Sequence, residues 1–240
     1  MIALLISIFL LGALLTIVQA NRAVFGDQSQ LAQLQDSERM ALTMMADVIQ
    51  QAGYFPDPTA NTQAGTLAAV APFAVGQAIS GSYTATVPGD TLSVRYMTAA
   101  GDGILNCSGL SNPVGGVNTL YVNKFYILNG QLTCDMTANA VTTTYNLVSG
   151  VTNSTGTSDL GITNLSILYG VKANAALPGN NVDTYLNASQ MTPATWSSVI
   201  AVQIQLTFTN PLFTTGSTTQ PPTILVQRVV GVMNQLGPIQ

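Results

Sequence analysis

The first eighteen residues read MIALLISIFLLGALLTIV, without a charge and with only Ser7, Gly12 and Thr16 as interruptions. At about 1.5 Å per residue such a helix approaches the roughly 20 apolar residues that cross a bilayer core. A secretory signal peptide is the competing reading, because Val18 and Ala20 would suit a small-residue cleavage site. No basic segment precedes the run, however, and a helical pattern continues through the would-be cut. Leu31, Leu34, Ala41, Met45, Val48 and Ala52 recur at helical spacing, and Leu42 and Ile49 widen the stripe. Asp27, Gln30, Asp36, Arg39, Asp47 and Gln50 lie largely off it. Gly53, Pro56 and Pro58 then stop the helix. The pattern predicts one retained helix over residues 1–52, close to 80 Å long. No single domain of this size can bury it, so its N-terminal end must enter lipid or other copies of itself.

Beyond Pro58 the period changes. After a small-residue, turn-rich stretch to about Asp90, Leu92, Val94 and Tyr96 alternate with Ser93 and Arg95, which predicts a half-buried strand over Thr91–Met97. Asn129-Gly130 between Lys124–Leu128 and Gln131–Cys134 predicts a two-residue hairpin. Further strands are predicted at Thr142–Val148, Ile162–Val171, Val182–Leu186, Val199–Phe208 and Thr223–Met233, and Val151–Gly161 reads as a surface loop. The fold class is α+β, a long N-terminal helix packed on an antiparallel sheet domain. Residues 1–53 form the helix and 54–240 a single β-rich globular domain.

Composition narrows the function. Only 7% of residues are charged, the net charge is -4 and histidine is absent. The six basic residues, Arg22, Arg39, Arg95, Lys124, Lys172 and Arg228, are scattered, which argues against nucleic acid as a partner. Triads that need histidine are impossible. Asp57, Asp90, Asp102, Asp135, Asp159 and Asp183 lie in or near predicted turns, where aspartate caps local backbone groups. No loop gathers the carboxylates that calcium needs, and Gly101-Asp102-Gly103 lacks the Lys-Ser/Thr of a phosphate loop. The residues therefore offer no catalytic, cofactor-binding or metal site, and the chain does not read as an enzyme. Trp196, alone before a β run, reads as core. Cys107 and Cys134 are an even pair behind an export or anchor segment and read as a disulfide, with two buried free thiols as the alternative.

The ordered set of segments resembles the PilW-like minor pilins of bacterial type IV pili. MIALLISIFLLGALLTIVQ is similar to their hydrophobic helix, and LQDSERMALTMMADVIQQAGYFP to the segment that closes it. DTLSVRYMTAAGDGILNCSG and FYILNGQLTCD resemble their strand, hairpin and two cysteines; LGITNLSILYGV, VDTYLNASQMT and VIAVQIQLTF follow in the family's order. The resemblance implies a structural subunit held in the inner membrane, domain outside the cytoplasm, until pilus assembly machinery extracts it. It would then pack against other pilin subunits through Ile2, Leu5, Ile6, Phe9, Leu10, Leu14 and Ile17, priming assembly or sitting at the tip of an extracellular filament. A main subunit, or a membrane-anchored surface-binding domain, is the alternative. Two features depart from the family. Met1 aligns a few residues after the family's helix glutamate, which implies a truncated N-terminus or, otherwise, Leu5 in the glutamate's place. The aspartate-rich loop that many relatives carry is here KANAALPGNNVD.

Overall fold

The computed structural model describes residues 2–148, 161–172, 174, 179, 181–213 and 218–236, the backbone alone for 2–5 and 236. Helix α1 runs over Ile2–Gln50, and a turn then leads to Gly53, which takes a positive φ of 78°. With 49 residues, α1 is about 74 Å long. Only its second half touches the domain. Leu34, Ala41, Met45, Ala46, Val48 and Ile49 are buried, the i, i+4 and i+3 spacing of a single helical face. Burying Leu34, Met45, Val48 and Ile49 contributes on the order of 6–12 kcal/mol before entropy is counted.

The rest of the domain is two antiparallel sheets. One has strands β1 (Ile79–Ser82), β2 (Thr91–Thr98), β3 (Thr119–Leu128), β4 (Gln131–Ala138) and β5 (Val141–Val148), side by side in chain order. The other has β6 (Ile162–Val171), β7 (Thr184–Leu186), β8 (Val199–Thr209) and β9 (Thr223–Gly231) in the order β7-β6-β8-β9. Short helices α2 (Gln63–Thr66), α3 (Pro193–Trp196) and α4 (Met233–Leu236) fill connections. The sheets are stitched where Pro88–Asp90 meets β6: the Leu165 amide donates to the Pro88 carbonyl (3.1 Å) and the Asp90 amide to the Leu165 carbonyl (2.8 Å). The edge strands β5 and β9 both pack against α1, so the helix lies over the seam between the sheets and closes one continuous core.

The predicted hairpin is present, with Asn129 and Gly130 at φ 51° and 73°, the double positive a two-residue hairpin turn requires. Ile162–Val171 forms a strand over the predicted residues. Other expectations need correction. β1 and α2 lie in the stretch read as turn-rich; β1 is four residues long and three of them, Ser80, Gly81 and Ser82, are small, too little for a period to show. The strand predicted over Val182–Leu186 begins only at Thr184, and the last strand ends at Gly231, before α4. Ser93 and Arg95 are not on a solvent face; both sides of β2 are covered, and Arg95 is fully buried. Asp135 is inside β4, not at a turn, where it accepts from the Tyr126 and Thr144 hydroxyls. Asp90 follows a turn, yet its carboxylate is buried and reaches across the sheets, accepting from the Thr84 and Ile167 amides, both at 2.8 Å. Asp102 does cap its own turn, accepting from Ala99 and Ile104. Asp159 and the loop read over Val151–Gly161, apart from Gly161, lie outside the described residues.

Candidate functional site

From Ile6 to Asn21 the described side chains of α1 are all exposed. Ile6 (55%), Phe9 (77%), Leu10, Leu14 and Ile17 (each about 60%) stand exposed. Ile2 and Leu5 lie on the same helix, with side chains outside the description. Ile8, Leu11, Leu15 and Val18 are exposed as well, on the remaining faces. Ile6, Phe9, Leu10, Leu14 and Ile17 thus share with Ile8, Leu11, Leu15 and Val18 an exposed surface that is apolar all round. Leaving these nine large side chains in water forgoes on the order of 15–25 kcal/mol of transfer free energy. The most apolar window of the helix has a mean hydropathy of 1.7 and no buried residue. Such a segment is stable only in a second apolar environment.

Between this segment and the domain lies a polar neck, Asn21–Gln33, in which Val24 and Phe25 are exposed between Arg22 and Asp27. Farther along, burial raises the Glu38 carboxyl above its ordinary value.

The cysteines are joined. Cys107, in the β2–β3 connection, and Cys134, on β4, form a disulfide with Cα atoms 6.5 Å apart, and both are buried. The connection is held further by the Cys107 amide donating to Asn123 Oδ1 (2.9 Å) and the Tyr96 hydroxyl donating to the Leu105 carbonyl (2.8 Å). Leu105–Cys107 and Gly109 thereby lie beside Met44, Asp47 and Val48 of α1, lining a cavity of about 100 Å³. The disulfide therefore fixes the loop against the flank of the long helix.

One group escaped sequence reasoning altogether. The Arg95 guanidinium is buried and, among the described residues, donates to backbone carbonyls and to no carboxylate: Nε to Gln77 (2.6 Å), Nη1 to Ala68 (2.6 Å), and Nη2 to Ala74 (2.7 Å) and Leu67 (3.3 Å). It also lies 4.7 Å from the Phe73 ring centroid. Burial lowers its pKa to about 10, so it remains a cation at neutral pH. Its alternation with Leu92, Val94 and Tyr96 misled, because the period reports which side of a strand a residue takes and not whether a loop covers that side.

Trp196 is half-buried and packs edge-on to Tyr169, with ring centroids 4.7 Å apart. Tyr169 is buried and its hydroxyl has no hydrogen-bond partner among the described residues. Among the described residues, no group of three or more His, Cys, Asp and Glu side chains is placed to hold a metal ion.

The family described as type IV pilus-assembly protein W matches residues 111–236, just over half of the chain. No curated protein sequence matches. Among solved structures, the chain is similar to a type IV-like pilin from Thermus thermophilus, at 14% identity and a TM-score of 0.50, over 85% of this chain and 97% of that one. That likeness speaks for the fold.

Proposed function

Because the chain belongs to the family of type IV pilus-assembly protein W, we propose that it is a minor pilin, a structural subunit that primes a type IV pilus or sits at its tip. The observation that carries this reading is the division of α1 into a free half apolar all round and a second half that holds the domain. In the inner membrane, lipid would surround Ile2, Leu5, Ile6, Phe9, Leu10, Leu14 and Ile17, with the β domain outside the cytoplasm. In a filament, the helices of other pilin subunits would replace the lipid. The exchange costs little, since tails and neighbouring helices are both apolar surroundings and the helix satisfies its own backbone groups in either. Helix-to-helix packing of this kind requires no cofactor and no catalytic residue.

The test is mass spectrometry of sheared, purified filaments beside the inner-membrane fraction. A minor subunit appears in filaments at a small fraction of the main subunit, and its deletion reduces pilus number. Amounts comparable to the main subunit would make it a shaft protein instead. Retention in the membrane fraction with normal piliation would remove the pilus role.

A further inference from the structure

Successive residues of a strand face opposite sides of their sheet, one side toward the core and one outward. On the first sheet the outward side is partly covered: residues 67–77, with AAVAPFAV over 68–75, close over β2 and take the Arg95 guanidinium. What stays open there carries Lys124 and Asp135, abreast on β3 and β4. The second sheet differs, because its outward positions on β6, β8 and β9 hold no charged residue. Leu168, Gln203 and Val229 stand abreast in one row, and Ser166, Gln205 and Gln227 in the next. Val229 (54%) and Leu225 (59%) are exposed beside the glutamines. Arg228 takes the other side of β9, in register with buried Ile204. At the far edge Tyr185 of β7 is exposed, and its ring lies against β6 at Gly170, where a Cβ would stand 3.0 Å from Tyr185 Cε1.

Three amides are already organised on this face. Gln203 Nε2 and Gln205 Nε2 both donate to Gln227 Oε1, at 3.3 and 3.4 Å. Gln203 Oε1, Gln205 Oε1 and Gln227 Nε2 are left as two acceptors and a donor without a partner among the described residues. Side chains that brace one another lose less freedom when a ligand arrives. The chemistry of the face then selects the ligand. An anionic polymer finds no Lys or Arg in these rows, and a cationic one finds no carboxylate. An extended peptide needs open backbone groups, whereas those of β8 are spent on both its neighbours. A wholly apolar partner would strip water from three glutamines and replace none of its hydrogen bonds. A sugar ring meets each condition: it is uncharged, its hydroxyls both donate and accept, and its C–H face suits Leu168, Val229, Leu225 and the Tyr185 ring.

We propose that the outward face of the second sheet, centred on Gln203, Gln205 and Gln227, is a binding site for a neutral oligosaccharide or polysaccharide chain. The amides fix the hydroxyls, while the aliphatic side chains and Tyr185 take the ring faces. The inference goes beyond the pilus-subunit reading and does not rest on it, since the face belongs to the domain wherever the chain resides.

The full chain, in a mild detergent whose headgroup is not a sugar, is titrated calorimetrically with hexasaccharides of glucose, mannose, galactose and N-acetylglucosamine, and with hexagalacturonate as the anionic comparison. At least one neutral series is expected to bind, with an affinity that added salt leaves unchanged. Gln205→Ala and Gln227→Ala combined are expected to weaken that binding at least tenfold with the melting temperature unchanged. Val229→Glu, which leaves the amides in place, should weaken it as far, and Lys124→Ala on the other sheet should bind like wild type. The proposal is overturned if none of the neutral series binds at about 1 mM, if hexagalacturonate binds more tightly than all of them, or if the glutamine double variant or Val229→Glu binds like wild type. It is equally overturned if sedimentation finds a wild-type dimer that the double variant reduces to a monomer, because the face would then be a contact between copies of the chain.

Discussion

Arg95 sets up a measurable conflict between hydrogen bonding and charge burial. Replacing it by leucine strips donors from four carbonyls, of which those of Leu67 and Gln77 are bonded in buried surroundings and those of Ala68 and Ala74 in partly buried ones. A buried carbonyl left without a donor costs roughly 1–3 kcal/mol, while one that water reaches costs little. Leu67 keeps the Gly76 amide as a donor, so the loss is that of Gln77, about 1–3 kcal/mol, and the lost contact with Phe73 adds about 1 kcal/mol. Against this, burial that lowers the pKa to about 10 means that the site disfavours the cation by roughly 3 kcal/mol, which leucine recovers. The net expectation for Arg95→Leu is a change of no more than about 1 kcal/mol in either direction. Arg95→Lys keeps the buried charge but cannot reach carbonyls spread around a planar fork, so it should be the worse of the two, at about 3–5 kcal/mol. Urea unfolding of the full chain in mild detergent, read from the single tryptophan Trp196, measures both. Lysine matching wild type, or both variants within 0.5 kcal/mol of it, would refute the reasoning. Amide exchange should accelerate over 67–77 in either variant and remain unchanged in β8.

Four further outcomes follow from particular sites. Cys107→Ser opens a loop of 27 residues and should lower stability by about 3.5 kcal/mol in the chain-entropy description; equal melting temperatures with and without reductant would contradict it. Ala140, at φ 63° in the exposed β4–β5 turn, holds a backbone conformation that disfavours a Cβ, so Ala140→Gly should raise stability by about 0.5–1 kcal/mol in the same unfolding assay. Tyr169→Phe removes a buried, unpaired hydroxyl and should be neutral or slightly stabilising, whereas Gly81→Ala would drive a Cβ into that hydroxyl and the Thr91 carbonyl and should destabilise clearly; both are read by thermal melting. Glu38 binds its proton more tightly folded than unfolded, so its contribution is fully present below the ordinary glutamate value and is lost as pH rises through the raised one. Stability should fall across that window in wild type and stay flatter in Glu38→Gln, which a series of melts at stepped pH would measure.

Periodicity made most of the framework legible before any coordinates. Leu34, Met45, Val48 and Ile49 marked the buried face of α1, and Asn129-Gly130 marked the hairpin, because each signal is local: a helix face and a turn are decided within a few residues. The division into two sheets was not local. It depends on Asp90 and Pro88 finding Leu165 and Ile167 some 77 positions away, and no pattern around Asp90 distinguishes a carboxylate that caps its own turn from one that joins two sheets. Arg95 was obscured for the same reason, since the partners that bury it belong to a loop 18 to 28 residues upstream.

The exposed surfaces follow a different logic, and composition exposed one while hiding the other. The free half of α1 is conspicuous because eighteen uncharged residues, nearly all of them apolar, cannot be mistaken for loop. AAVAPFAV is equally uncharged, yet short alanine-rich sequence between a helix stop and a strand reads as connection, and only the burial of Phe73 beneath exposed Val70 and Val75 separates a platform from a linker. The domain therefore carries apolar surface at both ends of one rigid axis: the free helix and neck at one end, the Arg95-held loop at the other. Surfaces so placed cannot satisfy each other within one chain, because about 40 Å of helix holds them apart.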